Sequence, residues 1–454
     1  MIWWIRRDLR LHDNPALAQA LADANCVIPV YIFDSRLKPE FSRERFSFLI
    51  QSLKVLQADL LTLGSSLVIR AGDPVNELSR LVTESGAGKI CAEADYSPFA
   101  LRRDEAGGSA LPLTLVHGLT IHPPGSVVKG DSAPYTIFTP FRNTWLSLPL
   151  DDYEIQSPSQ MQPHQILSSI PLPDSRENPL FPAGEAAAHH RLQEFLKSSL
   201  SRYDLDRDRP DLEGTSRLSP YIRFGQLSMR YVYAQGVSFA RSSGENSGIS
   251  SWLNELVWRE FFIHILAAFP HVLRGAFRPN LRAVPWRDST ADLQIWQAGL
   301  TGYPLVDAGM RQLAQTGWMH NRARMITASF LAKHLLINWQ AGEEWFMRHL
   351  LEGDPASNNG GWQWSAGTGT DAAPYFRIFN PVLQSRKFDP SGDYIRAWIP
   401  ELASVPRDYV HEPWLMPLDV QSACGVRIGK DYPSPIVEHA AARERALAAY
   451  KISA

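Results

Sequence analysis

The hydrophobic period of this chain changes once, and that change constrains its fold more than any other feature. Up to about residue 125, apolar runs alternate with helix-like stretches; the runs are IWWIRRDLR, CVIPVYIFD, SLVIR and KICAEADY. Between the second and third runs, SRERFSFLIQSLKVLQADLLTLG has apolar residues at helical spacing. Strands that alternate with helices predict a parallel, doubly wound sheet covered on both faces. No GxGxxG follows the first run, but Asp13 and Asn14 are candidate helix N-caps.

From His189 onward, the apolar residues recur at helical spacing, which predicts an all-α second domain. The aromatic stretch from Pro134 to Trp145 is expected to dock on the sheet. The segment after it is rich in Pro and Ser, as in an interdomain linker that wraps across a surface. We therefore predict an α/β domain at residues 1–125, a linker at 126–190 and a helical domain at 191–454.

Composition narrows the function classes. The net charge of −2 gives no general attraction to nucleic acid, so DNA binding would need a local basic face. Cys26, Cys91 and Cys424 are odd in number and lack metal-ligand spacing, which predicts a reduced cytoplasmic protein without a disulfide framework or a metal site. Because RRDLR follows MIWWI at once, we expect neither a signal peptide nor a membrane span.

The segment from Glu352 to Pro381 carries the densest cluster of polar and aromatic groups. Its sequence, EGDPASNNGGWQWSAGTGTDAAPYFRIFNP, is too rich in Gly for a helix interior and predicts a tight loop and a helix start. Asp354 and the two Asn at 358 and 359 can hydrogen-bond a flat ligand, and the indoles of Trp362 and Trp364 can stack or pass electrons. The alternative is an ordinary buried turn between helices.

The run ASNNGGWQW, followed by TGTDAAPYFRIFNP, resembles the flavin-binding signature of the photolyase/cryptochrome family. More narrowly, it resembles photolyases that repair cyclobutane pyrimidine dimers. RRDLRLHDNPAL, GDP at Gly72–Pro74 and DYSPFALRRD at Asp95–Asp104 resemble the antenna-chromophore domain of that family. The resemblance implies noncovalent FAD and a second chromophore, with 8-hydroxy-deazaflavin favoured over methenyltetrahydrofolate. An empty or flavin-filled antenna pocket remains an alternative.

The loop GTSRLSPYIRFG at Gly214–Gly225 offers hydroxyl and backbone N–H groups at a helix start, which suit a diphosphate. A plain capped helix is the alternative. The resemblance implies that Arg324 pairs with Asp354 beside the flavin ring and that Asn358 faces the flavin N5. Glu352 stands where relatives often have Asp, and is left outside the predicted site. The cofactor residues implied by the resemblance are Tyr203, Thr215, Ser216, Arg217, Leu218, Ser219, Arg259, Arg324, Asp354 and Asn358.

Two helical faces are candidates for the substrate. Glu255 and Trp258 are three residues apart, and their alternative is a plain Glu255–Arg259 helical pair. Asn321 and Met325 are four residues apart, although Met alone is more often core filler. The resemblance assigns the dimer-binding and catalytic positions to Glu255, Trp258, Asn321, Met325 and Trp364.

The resemblance also implies an electron chain and a DNA face. Trp362, Trp339 and Trp286 occupy the positions of the family's electron-hopping indoles, and their alternative is three core aromatics. The phosphate-contact candidates are Arg322, Arg377, Arg386 and Lys387; each taken singly is more often a solvated charge.

The resulting expectation is a monomeric enzyme that repairs cyclobutane pyrimidine dimers in damaged DNA with light, by electron transfer from reduced FAD. His320 before Asn321 favours this substrate over the (6-4) lesion, whose repair enzymes typically have His-His there. Asn358 favours repair over signalling, because plant cryptochromes usually carry Asp at that place. The rival is a cryptochrome photoreceptor, although the long C-terminal extension usual in that class is missing. A non-photochemical flavoenzyme would need a substrate base that is not evident.

Overall fold

Five parallel strands form the sheet predicted for the N-terminal segment, in the order β3-β2-β1-β4-β5. The structure is a computed structural model and describes residues 1–37, 42–150, 155–244 and 246–453, without the side chains of 452 and 453. The strands are β1 Ile2–Ile5, β2 Ile28–Asp34, β3 Val68–Gly72, β4 Ile90–Glu93 and β5 Leu113–Val116. Ile2 pairs with Ile28 on one side and Ile90 on the other, so the strand order reverses at β1.

Four helices connect the strands: α1 Pro15–Asp23, α2 Arg43–Thr62, α3 Pro74–Ser85 and α4 Pro98–Ala110. β1 and β4 are buried along their whole length, as their unbroken apolar runs predict. Asn14 caps α1 by accepting from the Leu17 N–H at 2.9 Å, which confirms that prediction. Asp13 is not the cap: it has a φ of 49° and accepts from Ser228 and Arg230. The strand β5 was not predicted; its short run LTLV is half exposed.

From α6 onward, the elements of the described chain are helical, as predicted. The α-helices after the sheet are α5 Phe138–Ser147, α6 Glu185–Ser198, α7 Tyr203–Asp206, α8 Ser219–Arg223, α9 Met229–Ser243, α10 Ser247–Ala268, α11 Thr290–Gln297, α12 Pro304–Thr316, α13 Asn321–Ser329, α14 Trp339–His349, α15 Pro355–Ala366, α16 Pro381–Phe388, α17 Asp393–Trp398, α18 Leu418–Cys424 and α19 His439–Ser453. Shorter turns are a π-helix at Phe330–His334 and 3₁₀ helices at Leu200–Arg202, Pro270–Leu273, Pro279–Ala283, Pro400–Leu402 and Pro413–Leu415. No described helix combines the length and apolar character that crossing a membrane requires.

The Pro-rich segment covers an edge of the sheet. Residues 155–178 contain neither helix nor strand, and the Ile170 N–H donates to the carbonyl of Ile69 in β3 at 3.0 Å. The Ile69 N–H in turn donates to Ser169 Oγ at 2.9 Å. An uncovered edge strand would expose unpaired backbone groups, and this segment pairs them. The prediction that it wraps across a surface is confirmed; residues 151–154 of the predicted linker lie outside the described part.

The aromatic stretch before it does not dock on the sheet, so that prediction is wrong. It forms α5 and packs on α10 instead, because α10 presents a row of aromatic rings. The Phe138 ring stacks on Trp258 with centroids 3.7 Å apart and planes 7° apart. Phe141 meets Phe261 edge to face at 5.2 Å.

Glu260 of α10 binds both α5 and the chain that precedes it. Its buried carboxylate accepts from the backbone N–H groups of Ile121 and His122 and, at 2.7 Å, from the indole N–H of Trp145. Burial raises the pKa of Glu260 to about 7, while these donors act in the opposite direction. α10 is thereby attached to the chain that follows the sheet.

The chain divides into two compact units whose limits differ from the predicted boundaries. The first unit contains residues 1–201 and 216–270, and the second contains 202–215 and 271–454. Part of the predicted helical domain, including α10, thus belongs to the unit that contains the sheet.

Replacing Glu260 with Ala should lower the free energy of unfolding by more than about 3 kcal/mol, because three buried donors lose their acceptor and a cavity remains. Chemical denaturation of purified variants measures this change. Glu194→Ala is the control, since Glu194 is a surface residue whose side chain is 55% exposed and its loss should change the value by less than about 0.5 kcal/mol. Equal stability of the two variants would contradict the role given to Glu260.

Candidate functional site

The Gly-rich segment is a helix rather than the expected tight loop. α15 runs from Pro355 through Asn-Asn-Gly-Gly to Ala366, so the loop prediction is wrong there. Asp354 caps it, with Oδ1 accepting from the N–H groups of Ala356 and Ser357 at 3.1 and 3.0 Å. Pro355 suits the first helical position. This cap and the burial of α15 side chains outweigh the cost of about 1 kcal/mol for each Gly in a helix.

The two Asn side chains of α15 bind α14. Asn358 Nδ2 donates to the backbone carbonyl of Glu343 at 3.0 Å. Asn359 Nδ2 donates to Glu343 Oε1 at 2.9 Å and to the Val272 carbonyl at 3.1 Å. Gln363 Nε2 donates to Asn359 Oδ1 at 3.0 Å and completes the network. Because the amide nitrogen of Asn358 is held by Glu343, its Oδ1 remains as an acceptor for a ligand.

Sequence reasoning did not find Glu343, Asn359 or Gln363 as members of this network. Burial raises the pKa of Glu343 to about 7, and the hydrogen bond from Asn359 opposes that shift. Asn359 and Gln363 are four residues apart on α15, which is the one signal that could have linked them. No spacing in the sequence indicates that α14 supplies their partner.

Arg324 forms its ion pair with Glu352, at 2.6 Å between Nη2 and Oε1. Its Nε also donates to the carbonyl of Met319 at 2.8 Å. Asp354, the predicted partner of Arg324, is the cap of α15. Glu352, which was left out of the predicted site residues, is therefore the acidic partner of Arg324. The longer Glu side chain reaches the guanidinium group.

The three predicted electron-transfer indoles share one core. Trp362 and Trp339 are each 2% exposed within the same hydrophobic cluster, and the half-buried Trp286 packs against that cluster. Trp362 meets Phe346 edge to face at 4.9 Å and Trp296 at 6.0 Å. Trp296, which is fully buried, was not predicted as a neighbour. The series thus contains two buried indoles, Trp362 and Trp339, and one partly exposed indole, Trp286.

The indole N–H of Trp362 is buried and has no hydrogen-bond partner among the described residues. Buried polar groups in proteins are almost always paired, so this donor is suited to an acceptor on a bound ligand. Together with the Asn358 acceptor on the same helix and the Arg324–Glu352 ion pair, it fits the polar groups of a flavin. The residues of the second unit are therefore compatible with FAD.

The predicted substrate face of α13 is present. Asn321 is exposed, and its Nδ2 lies 4.0 Å from Met325 Sδ one turn later. Met325 is half-buried, so it is not enclosed core filler. Trp364 on α15 is also half-buried. Tyr203 lies in α7 and is 8% exposed, with the Arg207 guanidinium over its ring at 5.4 Å.

The remaining predicted residues lie in the first unit. Glu255, Trp258 and Arg259 are half-buried side chains of α10, and Arg259 Nη1 donates to the carbonyl of Leu119 at 3.3 Å. In the predicted diphosphate loop, Arg217 has a φ of 52°, which is uncommon for a residue other than Gly. α8 has only five residues, so the helix-dipole argument for this loop is weaker than the sequence suggested.

The predicted site residues are thus divided between the units. The first unit contains Ser216, Arg217, Leu218, Ser219, Glu255, Trp258 and Arg259. The second contains Tyr203, Thr215, Trp286, Asn321, Arg322, Arg324, Met325, Trp339, Asp354, Asn358, Trp362, Trp364, Arg377, Arg386 and Lys387.

The four predicted DNA cations differ in their surroundings. Arg322 pairs with Asp208 at 2.5 Å and lies over the Phe388 ring at 4.4 Å, with 16% of its side chain exposed. Arg386 pairs with Glu412. Arg377 and Lys387 are exposed. The charge of Arg322 is already balanced, so Arg377 and Lys387 are the stronger candidates.

A Gly342→Ala substitution should displace Trp362 and destabilise the protein by about 1–3 kcal/mol, because overpacking forces side chains off their rotamers. A Cβ at Gly342 would lie 2.1 Å from Trp362 Cη2 and 2.6 Å from Leu331 Cδ2. Gly361→Ala is the matched control, since a Cβ there meets nothing within 4 Å among the described atoms. Denaturation should find the control at least as stable as the parent; equal losses in both variants would refute the packing argument.

Comparisons with known proteins identify the family of this chain. A family model described as DNA photolyase matches residues 1–162, and one described as the FAD binding domain of DNA photolyase matches residues 252–452. A deoxyribodipyrimidine photo-lyase of Escherichia coli is 41% identical, with 99% of this chain and 98% of the relative covered.

Two solved structures are also similar over the whole chain. The crystal structure of a class III photolyase from Agrobacterium tumefaciens has a TM-score of 0.94 and 39% identity, covering 100% of this chain and 97% of that one. A cryptochrome from Synechocystis has a TM-score of 0.90 and 30% identity, covering 99% and 98%. Family models and full-length relatives together show that this chain is an enzyme of the DNA photolyase family.

Proposed function

We propose that this enzyme repairs cyclobutane pyrimidine dimers in DNA with light, by electron transfer from reduced FAD. The observation that carries the proposal is the orientation of Asn358, whose amide nitrogen is held by the Glu343 carbonyl at 3.0 Å. Its Oδ1 can accept a hydrogen bond from a reduced flavin but is not an acid that could protonate it. This favours a stable reduced cofactor, which repair requires.

The cofactor is proposed to contact the residues that the resemblance implies. Arg324, held by Glu352, and Asp354 are assigned to the flavin ring, and Tyr203 to the cofactor's surroundings. The diphosphate is assigned to the hydroxyl and backbone groups of residues 215–219, and Arg259 to the same cofactor. When bound and reduced, FAD supplies the electron after absorbing light, while the protein supplies position and electrostatic field.

The dimer is proposed to bind in an extruded form, because the photochemistry needs the two bases outside the stack. Glu255 is assigned as the hydrogen-bond partner of the thymine carbonyls, where negative charge arrives. Asn321 orients the bases, and Met325, Trp258 and Trp364 supply apolar walls. Phe138 stacks on Trp258 at 3.7 Å and thereby fixes the plane of that indole.

DNA outside the lesion is proposed to be held through its phosphates. Arg377 and Lys387 are exposed, and Leu383, Arg386 and Lys387 lie on one face of α16 by their spacing of three and four residues. Such cations position a duplex without reading its sequence. Arg322 is assigned to this face as well, although its pairing with Asp208 leaves it less charge to offer. We propose that the enzyme acts on DNA in the cytoplasm as a monomer.

A second chromophore is proposed in the first unit, near the carboxyl ends of β1 and β4, where the strand order reverses and ligands of such sheets bind. The guanidinium groups of Arg6 and Arg103 lie over the Trp4 ring at 4.8 and 4.9 Å. Both arginines pair with Asp104, so one positive charge is left in excess beside the buried Trp4 ring, and this excess suits an anionic chromophore. The resemblance of Asp95–Asp104 favours 8-hydroxy-deazaflavin over methenyltetrahydrofolate.

The test of the function is anaerobic illumination of the reduced protein with an oligonucleotide that contains a thymine dimer. Recovery of thymine absorbance is expected. No recovery despite a reduced flavin would favour the alternative, a cryptochrome-type photoreceptor.

In the same assay, Glu255→Ala should lower the repair yield while FAD stays bound. We expect the yield to fall by a factor of about two to ten, because splitting of the dimer competes only with return of the electron to the flavin. This loss is smaller than the factor of about 10²–10³ in rate that removal of an oxyanion donor costs a thermal enzyme. Glu344→Ala is the control, as its side chain is 64% exposed. An unchanged yield in Glu255→Ala would remove the role of Glu255.

Trp286→Phe should abolish most photoreduction of oxidised FAD by an external donor, since the partly exposed end of the indole series is lost. Repair by chemically reduced protein should be unchanged. Trp414→Phe is a suitable control, because Trp414 packs against the same cluster and contacts Tyr303 at 5.4 Å. The measurement is the loss of flavin absorbance under blue light. Equal photoreduction in both variants would contradict the proposed electron-transfer path through Trp286.

A further inference from the structure

Two histidines and one glutamate converge between the β1–α1 loop and α6. His12 lies in the loop, Glu185 is the first residue of α6, and His189 follows it by one turn. Their ligand atoms all lie within 4.8 Å of one another, and His189 Nε2 is 3.7 Å from Glu185 Oε1. All three side chains are half-buried within the first unit. Side chains of this composition can pair with one another or share a cation.

The surrounding contacts fix these three groups. Glu185 Oε2 accepts from the Leu11 N–H at 2.8 Å, and Oε1 accepts from the His12 N–H at 2.9 Å. Each oxygen still has a second lone pair. The two imidazole rings are edge to face at 5.4 Å, and Tyr231 packs against His12 at 5.0 Å and against His189 at 4.7 Å. The ligand groups are therefore held in place by the protein itself.

We propose that His12, Glu185 and His189 bind a divalent transition metal ion of the zinc class. Two imidazoles and one carboxylate are a ligand set that zinc uses, with bonds of about 2.0–2.2 Å. Ligands of one ion are then at most about 4 Å apart, so side-chain shifts of roughly 1 Å close the site. Mg²⁺ and Ca²⁺ prefer oxygen ligands throughout and do not match this set. Partial exposure leaves the fourth position to water.

The ion would join the β1–α1 loop to α6. That loop contains Arg10, which pairs with Glu93 at 3.0 Å, and Asp13, which accepts from Ser228 and Arg230. The role is structural and adds no step to the reaction. The sequence analysis predicted no metal site because it considered cysteine spacing. His12 and Glu185 are 173 residues apart, so no local motif indicates their convergence.

The test uses the full FAD-loaded chain after treatment with EDTA. Isothermal titration with ZnSO₄ at neutral pH should find one strong site, and Zn²⁺ should raise the thermal midpoint of unfolding. His189→Phe and His12→Phe keep a ring against Tyr231 but remove the ligand nitrogen. Both should weaken Zn²⁺ binding by more than about tenfold, because the loss of a residue that only supports a metal ligand already costs about 10–100-fold. Both should also abolish the thermal shift.

His190→Phe is the matched control. His190 is the next residue of α6, its side chain is 74% exposed, and it pairs with Glu194 at 3.4 Å. The control should bind Zn²⁺ like the parent, and binding should weaken on acidification because protons compete for the imidazoles. The proposal is overturned if the parent shows no strong site, if the His189 and His12 variants bind as tightly as the parent, or if only the His190 variant loses binding.

Discussion

The close approach of α14 and α15 is the constraint on which the candidate site depends. Gly342 has no side chain, and the space that a Cβ would need is occupied by the indole of Trp362. The same approach brings Glu343, the next residue of α14, within hydrogen-bond distance of Asn358 and Asn359. Gly342 therefore allows both the packing of the Trp362 indole and the hydrogen bonds of the two Asn amides to Glu343. A helix pair held further apart would lose the packing and the polar network together.

The network also determines the electrostatics beside the proposed flavin. Asn358 is neutral, and the neighbouring Glu343 is buried, with a pKa raised to about 7 from its usual value near 4.5. Because this pKa is raised, the carboxyl group keeps its proton up to a higher pH in the folded protein than in the unfolded chain. The contribution of Glu343 to stability is therefore largest in acid and falls as pH rises from about 4.5 to 7. The carboxylate of Glu352 is balanced by the ion pair with Arg324.

The sequence predicted those features that depend on local pattern. Period and N-cap chemistry indicated the parallel sheet, the cap at Asn14 and the shared face of Asn321 and Met325. The errors concern features decided by tertiary contacts. The helix through Asn-Asn-Gly-Gly forms because Asp354 caps it and its side chains are buried, which propensity cannot register. Similarly, α5 packs on α10 rather than on the sheet because Trp258 and Phe261 offer it aromatic partners. Arg324 forms its ion pair with Glu352, whereas Asp354 caps α15.

The chain crosses between its two compact units more than once, so no single linker separates them. The chain passes between the two compact units at residues 201/202, 215/216 and 270/271. α10, which contains Glu255 and Trp258, belongs to the unit of the sheet. Its Glu260 accepts hydrogen bonds from Ile121, before α5, and from Trp145 within α5. A fragment that began at residue 191 would retain α10 but lose Ile121, His122, Trp145 and Phe138. The buried carboxylate would then lack its donors and Trp258 its stacking partner, so the predicted helical domain depends on residues before its boundary.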